Sequence, residues 1–133
     1  MDFKGFLMSD VKQSEEIKIR LSKRFTEPFV LKAITEEQDK MLREESYKKI
    51  KQRSGNYTRE LDTDTYMKKL AIATVIVPDF KNAELQKNWG VLGAESLIEK
   101  MLNPGEFNEL LFKVREVNGY DEEPNEIVEE AKN

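Results

Sequence analysis

The sequence predicts an α+β fold: one mostly helical domain with an antiparallel β-hairpin near its N-terminal end. Three observations predict it. EIKIRLSKR alternates with period two, Ile17, Ile19 and Leu21 on one side and Lys18, Arg20 and Ser22 on the other, which is the pattern of a half-buried strand. FVLKAI follows within one turn and reads as its partner. From Thr35 onward, capping residues precede apolar positions spaced three and four apart, the pattern of amphipathic helices. A chain of 133 residues with 38% hydrophobic and 36% charged residues suits one domain with a modest core. Within it, residues 1–13 are expected to be a flexible N-terminal segment and 120–133 an acidic C-terminal tail.

Phe25-Thr26-Glu27-Pro28 supplies the turn between the two strands. Thr35-Glu36-Glu37-Gln38 is a capping box. It predicts a helix from Glu36 to about Gln52, with Met41, Leu42, Tyr47 and Ile50 inward. Acids at its start and Lys48, Lys49, Lys51 and Arg53 at its end would complement the helix dipole, and Ser54-Gly55-Asn56 would end it. Asp62 or Thr63 can cap a second helix running to Val77, stopped by Pro78. Its LAIATVIV stretch is apolar all round, so the helix is expected at the centre. Asn82–Lys87 predicts a helical turn, and Ala94–Leu102 an amphipathic helix with Leu97, Ile98, Met101 and Leu102 inward. Asn103 as cap and Pro104 at the first helical position open the next helix, striped by Phe107, Leu110, Leu111, Val114 and Val117. Asn118-Gly119 closes it with a left-handed cap. A short helix after Pro124, through Ile127 and Val128, is expected in the tail.

Composition removes several function classes. There is no cysteine and no histidine, so disulfides, thiol nucleophiles, thiolate or imidazole metal sites and histidine general bases are all excluded. No spaced carboxylate motif of the EF-hand kind occurs, so no catalytic, metal or cofactor site is expected. The net charge of −4 gives no general attraction to nucleic acid or an anionic membrane. Lys48-Lys49-Ile50-Lys51-Gln52-Arg53 is the one basic run, read as a solvated helix end rather than a nucleic-acid site. MDFKGFLMSD lacks a secretory apolar core, and the run from Leu70 to Val77 falls far short of the roughly 20 residues of a membrane span. The expectation is a cytoplasmic protein.

Gly90 and Gly93 raise the question of a phosphate loop. Gly93 is followed by Ala94 and Glu95, with no lysine where phosphate charge would sit and no third glycine. The glycines read as the approach to one helix and Asn103-Pro104-Gly105 as the corner into the next. The same residues carry a resemblance. PDFKNAELQKNWGVLGAESLIEKMLNPGEFNELLFKVREVNGYD resembles the C-terminal half of the XkdN-like phage tail assembly chaperones of PBSX-type tail operons. Leu21-Ser22-Lys23-Arg24-Phe25, Ile34-Thr35-Glu36-Glu37 and the closing NEIVEEAKN extend it over nearly the whole chain. The hairpin connection is short here, and the first ten residues match only loosely.

The resemblance implies a non-enzymatic role: binding the tape measure protein, a long helical chain, and keeping it soluble until the tail tube polymerises. It also implies absence from the finished virion. A structural tail or baseplate component and a nucleic-acid-binding regulator are the competing readings. Apolar residues outside the inward stripes are the candidate partner-binding positions: Phe3, Phe6, Leu7 and Met8 in the N-terminal segment, and Phe112, which lies off the buried line of its helix. The competing expectation is that the N-terminal segment and the acidic tail fold back and cover these residues, and contact with a second copy of the chain would account for them equally well.

Ala131-Lys132-Asn133 can be encoded GCA-AAA-AAC, which holds the slippery heptamer A-AAA-AAC in frame. Genes of the resembled family often make a longer product by frameshifting, so a frameshifted longer form of this chain is an expected partner. The prediction is that the coding DNA carries that heptamer across the three codons; any other reading there removes the inference.

Overall fold

The computed structural model describes residues 2–120. The predicted hairpin is present: β1 (Ile17–Ile19) and β2 (Phe29–Leu31) pair antiparallel, Ile17 opposite Leu31 and Ile19 opposite Phe29. Phe29, Val30 and Leu31 are all buried, because β2 is the middle strand of three. Its other neighbour is β5 (Val75–Val77), antiparallel, with Val30 opposite Val77.

That third strand corrects the sequence reading. Helix α2 was expected to reach Val77 but spans Thr63–Thr74, opened by the Asp62 carboxylate accepting the Thr65 amide at 3.3 Å. Val75, Ile76 and Val77 are β-branched, and the open edge of β2 offers their backbone ladder bonds in place of helical ones. Nor is α2 buried all round: only Tyr66, Leu70, Ala71 and Thr74 are fully covered. It is still the helix against which α1, α4 and α5, defined below, all pack.

Helix α1 (Glu36–Glu45) opens with the expected capping box: Thr35 Oγ1 accepts the Gln38 amide at 3.1 Å, and Gln38 Oε1 accepts the Thr35 amide at 2.9 Å. It ends seven residues short of the expected Gln52. Buried Ser46 turns its hydroxyl back onto the Leu42 carbonyl at 2.6 Å and stops the helix. The chain then forms a second hairpin, β3 (Tyr47–Lys51) and β4 (Tyr57–Leu61), paired from Tyr47–Leu61 to Lys51–Tyr57. Ser54-Gly55-Asn56 turns this hairpin, with Gly55 at φ 90°, rather than ending a helix. Met41, expected inward, is 60% exposed, Tyr47 is on the hairpin surface, and Leu42 and Ile50 are half-buried. The basic run sits on this projecting arm, not at a helix end.

The C-terminal part follows expectation. After the short α3 (Ala83–Asn88), helices α4 (Ala94–Met101) and α5 (Pro104–Val117) bury Leu97, Ile98, Met101, Leu110 and Val114 in the core, with Leu102 buried at the corner between them. Asn118-Gly119 makes the left-handed cap, with Gly119 at φ 92° and the Tyr120 amide donating to the Arg115 carbonyl at 2.8 Å. The Asn118 side chain accepts the Ile34 amide at 2.9 Å and donates to Thr74 Oγ1 at 3.0 Å, so the end of α5 clamps the exits of β2 and α2. The helix expected after Pro124 lies outside the described residues.

A buried carboxylate joins the hairpin to the helices. Glu106, 5% exposed at the start of α5, accepts Arg24 Nε at 2.9 Å and Nη2 at 2.7 Å, Ser22 Oγ at 2.5 Å and the Asn103 amide at 2.9 Å. Arg24 also donates to the Met101 carbonyl at 2.6 Å. The Arg24 hydrogen bonds are the main reason the Glu106 carboxyl is held down to about 2; burial opposes them, and Asn103 and Ser22 assist. Glu106→Gln should lower stability at neutral pH by about 1–3 kcal/mol in denaturant melts. The ordinary value is 4.5, so the stabilisation is complete above that pH and is lost as pH falls from 4.5 toward about 2, where the unfolded chain takes up the proton first. The variant should show a shallower loss of stability across that window.

Candidate functional site

The N-terminal segment leads into β1 and is exposed throughout. It is a succession of turns: the Phe6 amide donates to the Phe3 carbonyl at 2.9 Å, and Asp10 and Val11 amides both donate to the Leu7 carbonyl. Asp2 and Asp10 hold the Lys4 and Gly5 amides. These local bonds orient the backbone and leave the side chains without cover. Phe6 is 82% and Met8 85% exposed; Phe3, Leu7 and the neighbouring Val11 are each about half exposed. Five large apolar side chains within nine residues is a density that solvent-facing segments seldom carry.

Phe112 lies on the outer side of α5, 62% exposed, with the Lys113 ammonium 5.9 Å from its ring centroid. The stripe of Leu110 and Val114 faces the core, which turns position 112 outward. The structure therefore places Phe3, Phe6, Leu7 and Met8 together on one segment and Phe112 separately, on a helix.

Sequence reasoning missed an apolar groove of about 310 Å³. Phe25 and Pro28 form one wall, Val77 and Pro78 another, and Trp89 and Met101 the rest. Its walls come from the β1–β2 connection, the end of β5, the end of α3 and the end of α4. The Glu106–Arg24 cluster lies at its edge and sets the spacing, since Arg24 bonds both Glu106 and the Met101 carbonyl. The single tryptophan was the signal available, but no periodicity links it to the other positions. A second open groove lies between α1, α2 and α4, with Leu42, Ile72 and Ala94 at its base and Leu92, 92% exposed, at its rim. There Lys69 sits between Glu45 at 3.6 Å and Glu95 at 3.4 Å.

The polar groups of the core are structural. Buried Asp39 takes the Tyr66 hydroxyl and lies 3.2 Å from Arg43 Nε, and burial together with that carboxylate raises the Tyr66 phenol well above its usual range. Among the described residues no group of three acidic side chains is placed to hold a metal ion. Gly90 and Gly93 take φ 71° and 102° in the α3–α4 connection, and the Gly93 amide is already occupied by Gln86 Oε1 at 2.9 Å. These glycines shape a corner. No helix among the described residues is long and apolar enough to cross a membrane. The apolar side chains left in solvent are those of the N-terminal segment, Phe112 and the rims of the two grooves.

Comparison with known proteins supplies the family. The chain is 31% identical to the phage-like element PBSX protein XkdN of Bacillus subtilis (strain 168), over 99% of this chain and 94% of the relative. It is equally identical to the uncharacterized protein YqbN of the same organism, over 99% and 93%. The crystal structure of YqbN superposes with a TM-score of 0.77 at 27% identity, covering 91% of this chain and 98% of that one. The family model of the phage XkdN-like tail assembly chaperone protein, TAC, matches residues 3–132, and the chain belongs to that family.

Proposed function

We propose that this chain binds the tape measure protein of a phage or prophage tail and keeps it soluble in the host cytoplasm until the tail tube assembles, then is left out of the virion. The reading rests on membership of the tail assembly chaperone family. The observation that carries it is apolar surface displayed without cover: Phe3, Phe6, Leu7 and Met8 on the N-terminal segment, Phe112 on α5, and the groove around Trp89.

The energetics suit reversible binding. Removing one large apolar side chain from water stabilises a contact by about 1.5–3 kcal/mol, before the losses of ordering are subtracted. A handful of such contacts, spread over a segment and a groove, gives an association that can be released. An amphipathic helix of a long, apolar-striped partner fits a groove of this kind. The mechanism needs no bond-making chemistry, and no reactive thiol or imidazole is present to supply any.

The test is co-expression with the tape measure protein. Its soluble fraction should rise with this chain and fall back with the Phe6→Asp/Met8→Asp/Phe112→Asp variant. That variant should keep its helical circular dichroism, because all three side chains are already exposed. Unchanged solubility with the natural chain would remove the mechanism. Recovery of the chain from purified tails would favour a structural tail component instead.

A further inference from the structure

The arm formed by β3 and β4 sorts its side chains by charge. Alternate cross-strand pairs share a face. Tyr47–Leu61, Lys49–Arg59 and Lys51–Tyr57 therefore lie on one side, and Lys48–Glu60 and Ile50–Thr58 on the other. The first face carries Lys49, Lys51 and Arg59 with two tyrosines and no carboxylate. On the second face Lys48 stands opposite Glu60 in the register.

Like charges directly opposite destabilise a ladder, and Lys49 is directly opposite Arg59. Arg59 is compensated locally: Nη2 lies 2.9 Å from Glu44 Oε2, and the guanidinium sits 4.3 Å over the Tyr47 ring. Lys49, Lys51 and Arg53 at the tip have no carboxylate partner among the described residues. An isolated two-stranded hairpin with almost no buried side chain is marginal on its own, so this arm gains from anything that neutralises its charged face.

We propose that the basic face of the arm is the docking site for the acidic segment of the same chain, residues 121–133. That segment, DEEPNEIVEEAKN, carries Asp121, Glu122, Glu123, Glu126, Glu129 and Glu130 against the single Lys132. Ile127 and Val128 stand among those carboxylates, as Tyr47 and Tyr57 stand among the arm cations. The segment starts close enough. Tyr120 shares a small cavity with Thr35, Glu36 and Asp39, at the first turn of α1. The arm begins at the other end of that ten-residue helix, about 15 Å away. An extended chain covers about 3.3 Å per residue, so roughly five residues bridge the gap and the rest can lie along the arm. The tether holds the segment at an effective concentration of about millimolar, which makes weak charge contacts sufficient.

Magnitude favours a peptide over nucleic acid. A nucleic-acid site typically neutralises about 6–10 phosphates. The arm offers three cations without local partners, on a chain of net charge −4. Three cations match a short run of carboxylates. The proposal is independent of the tape measure reading, since it concerns a different surface.

The chain has no cysteine, so Ala131→Cys provides a single attachment point for a nitroxide label on the full chain. At low salt the label should broaden the amide signals of residues 48–52 and 57–59, unchanged on dilution. Broadening should disappear in Lys49→Gln/Lys51→Gln and in Glu126→Gln/Glu129→Gln/Glu130→Gln. It should also disappear near 0.5 M salt, where the screening length falls to about 4 Å. Three results would overturn the proposal: no broadening on the arm; broadening that fades on dilution, which would assign the contact to a second copy; or an arm unaffected by the label whose amides shift with a short DNA duplex, which would assign it to nucleic acid.

Discussion

The fold depends on one buried carboxylate. Glu106 takes hydrogen bonds from Arg24 Nε and Nη2, from Ser22 and from the Asn103 amide. Residues 82 positions apart in the chain are thereby fixed against each other. Burying a lone carboxylate costs several kcal/mol, and charge-assisted bonds at close distance offset that cost. The net gain is modest, but the geometry it selects is specific. Arg24 cannot reach Glu106 and the Met101 carbonyl together unless the β1–β2 connection sits over the α4–α5 corner. That placement sets Phe25 and Pro28 opposite Trp89 and Met101 and so creates the apolar groove.

Around this lock the molecule divides its labour. The interior holds Phe29, Leu31, Leu70, Leu97, Ile98 and Leu110 with almost no exposed area, and Asn118 ties the exits of the elements that carry them. The periphery holds back nothing comparable. The N-terminal segment displays phenylalanines and methionine to solvent, and the arm displays cations. Surface of that kind favours self-association, and a net charge of −4 opposes it weakly. A rigid centre with two sticky peripheries of different chemistry suits a protein that holds other chains.

Much of this was legible in the sequence where the determinants are local. Thr35-Glu36-Glu37-Gln38, Asn103-Pro104 and Asn118-Gly119 specify helix ends through bonds spanning only a few residues, and each forms as read. The alternation of Ile17 and Ile19 marked the first hairpin. The second hairpin was not legible, because Lys48 to Lys51 reads equally well as a polar helix end. Only the pairing of Tyr47 with Leu61 and the Ser46 hydroxyl on Leu42 decide it. Strand β5 was missed for a related reason: an apolar β-branched run after a helix shows its state only when β2 offers an edge. For the candidate surface, apolar residues without a period were visible in the N-terminal segment. The groove was not, since it is assembled from positions 25, 28, 77, 78, 89 and 101, which share no local pattern.

The chain belongs to the tail assembly chaperone family, and the working chemistry proposed for it is apolar contact with another chain. Hydrogen exchange on the full chain, alone and in complex with co-expressed tape measure protein, tests that claim most directly. Amides of the N-terminal segment from Phe3 to Val11 and of the connection from Phe25 to Glu27 should become protected in the complex, with the core strands and helices unchanged. A complex in which those amides exchange as fast as in the free chain, while protection appears elsewhere, would contradict it.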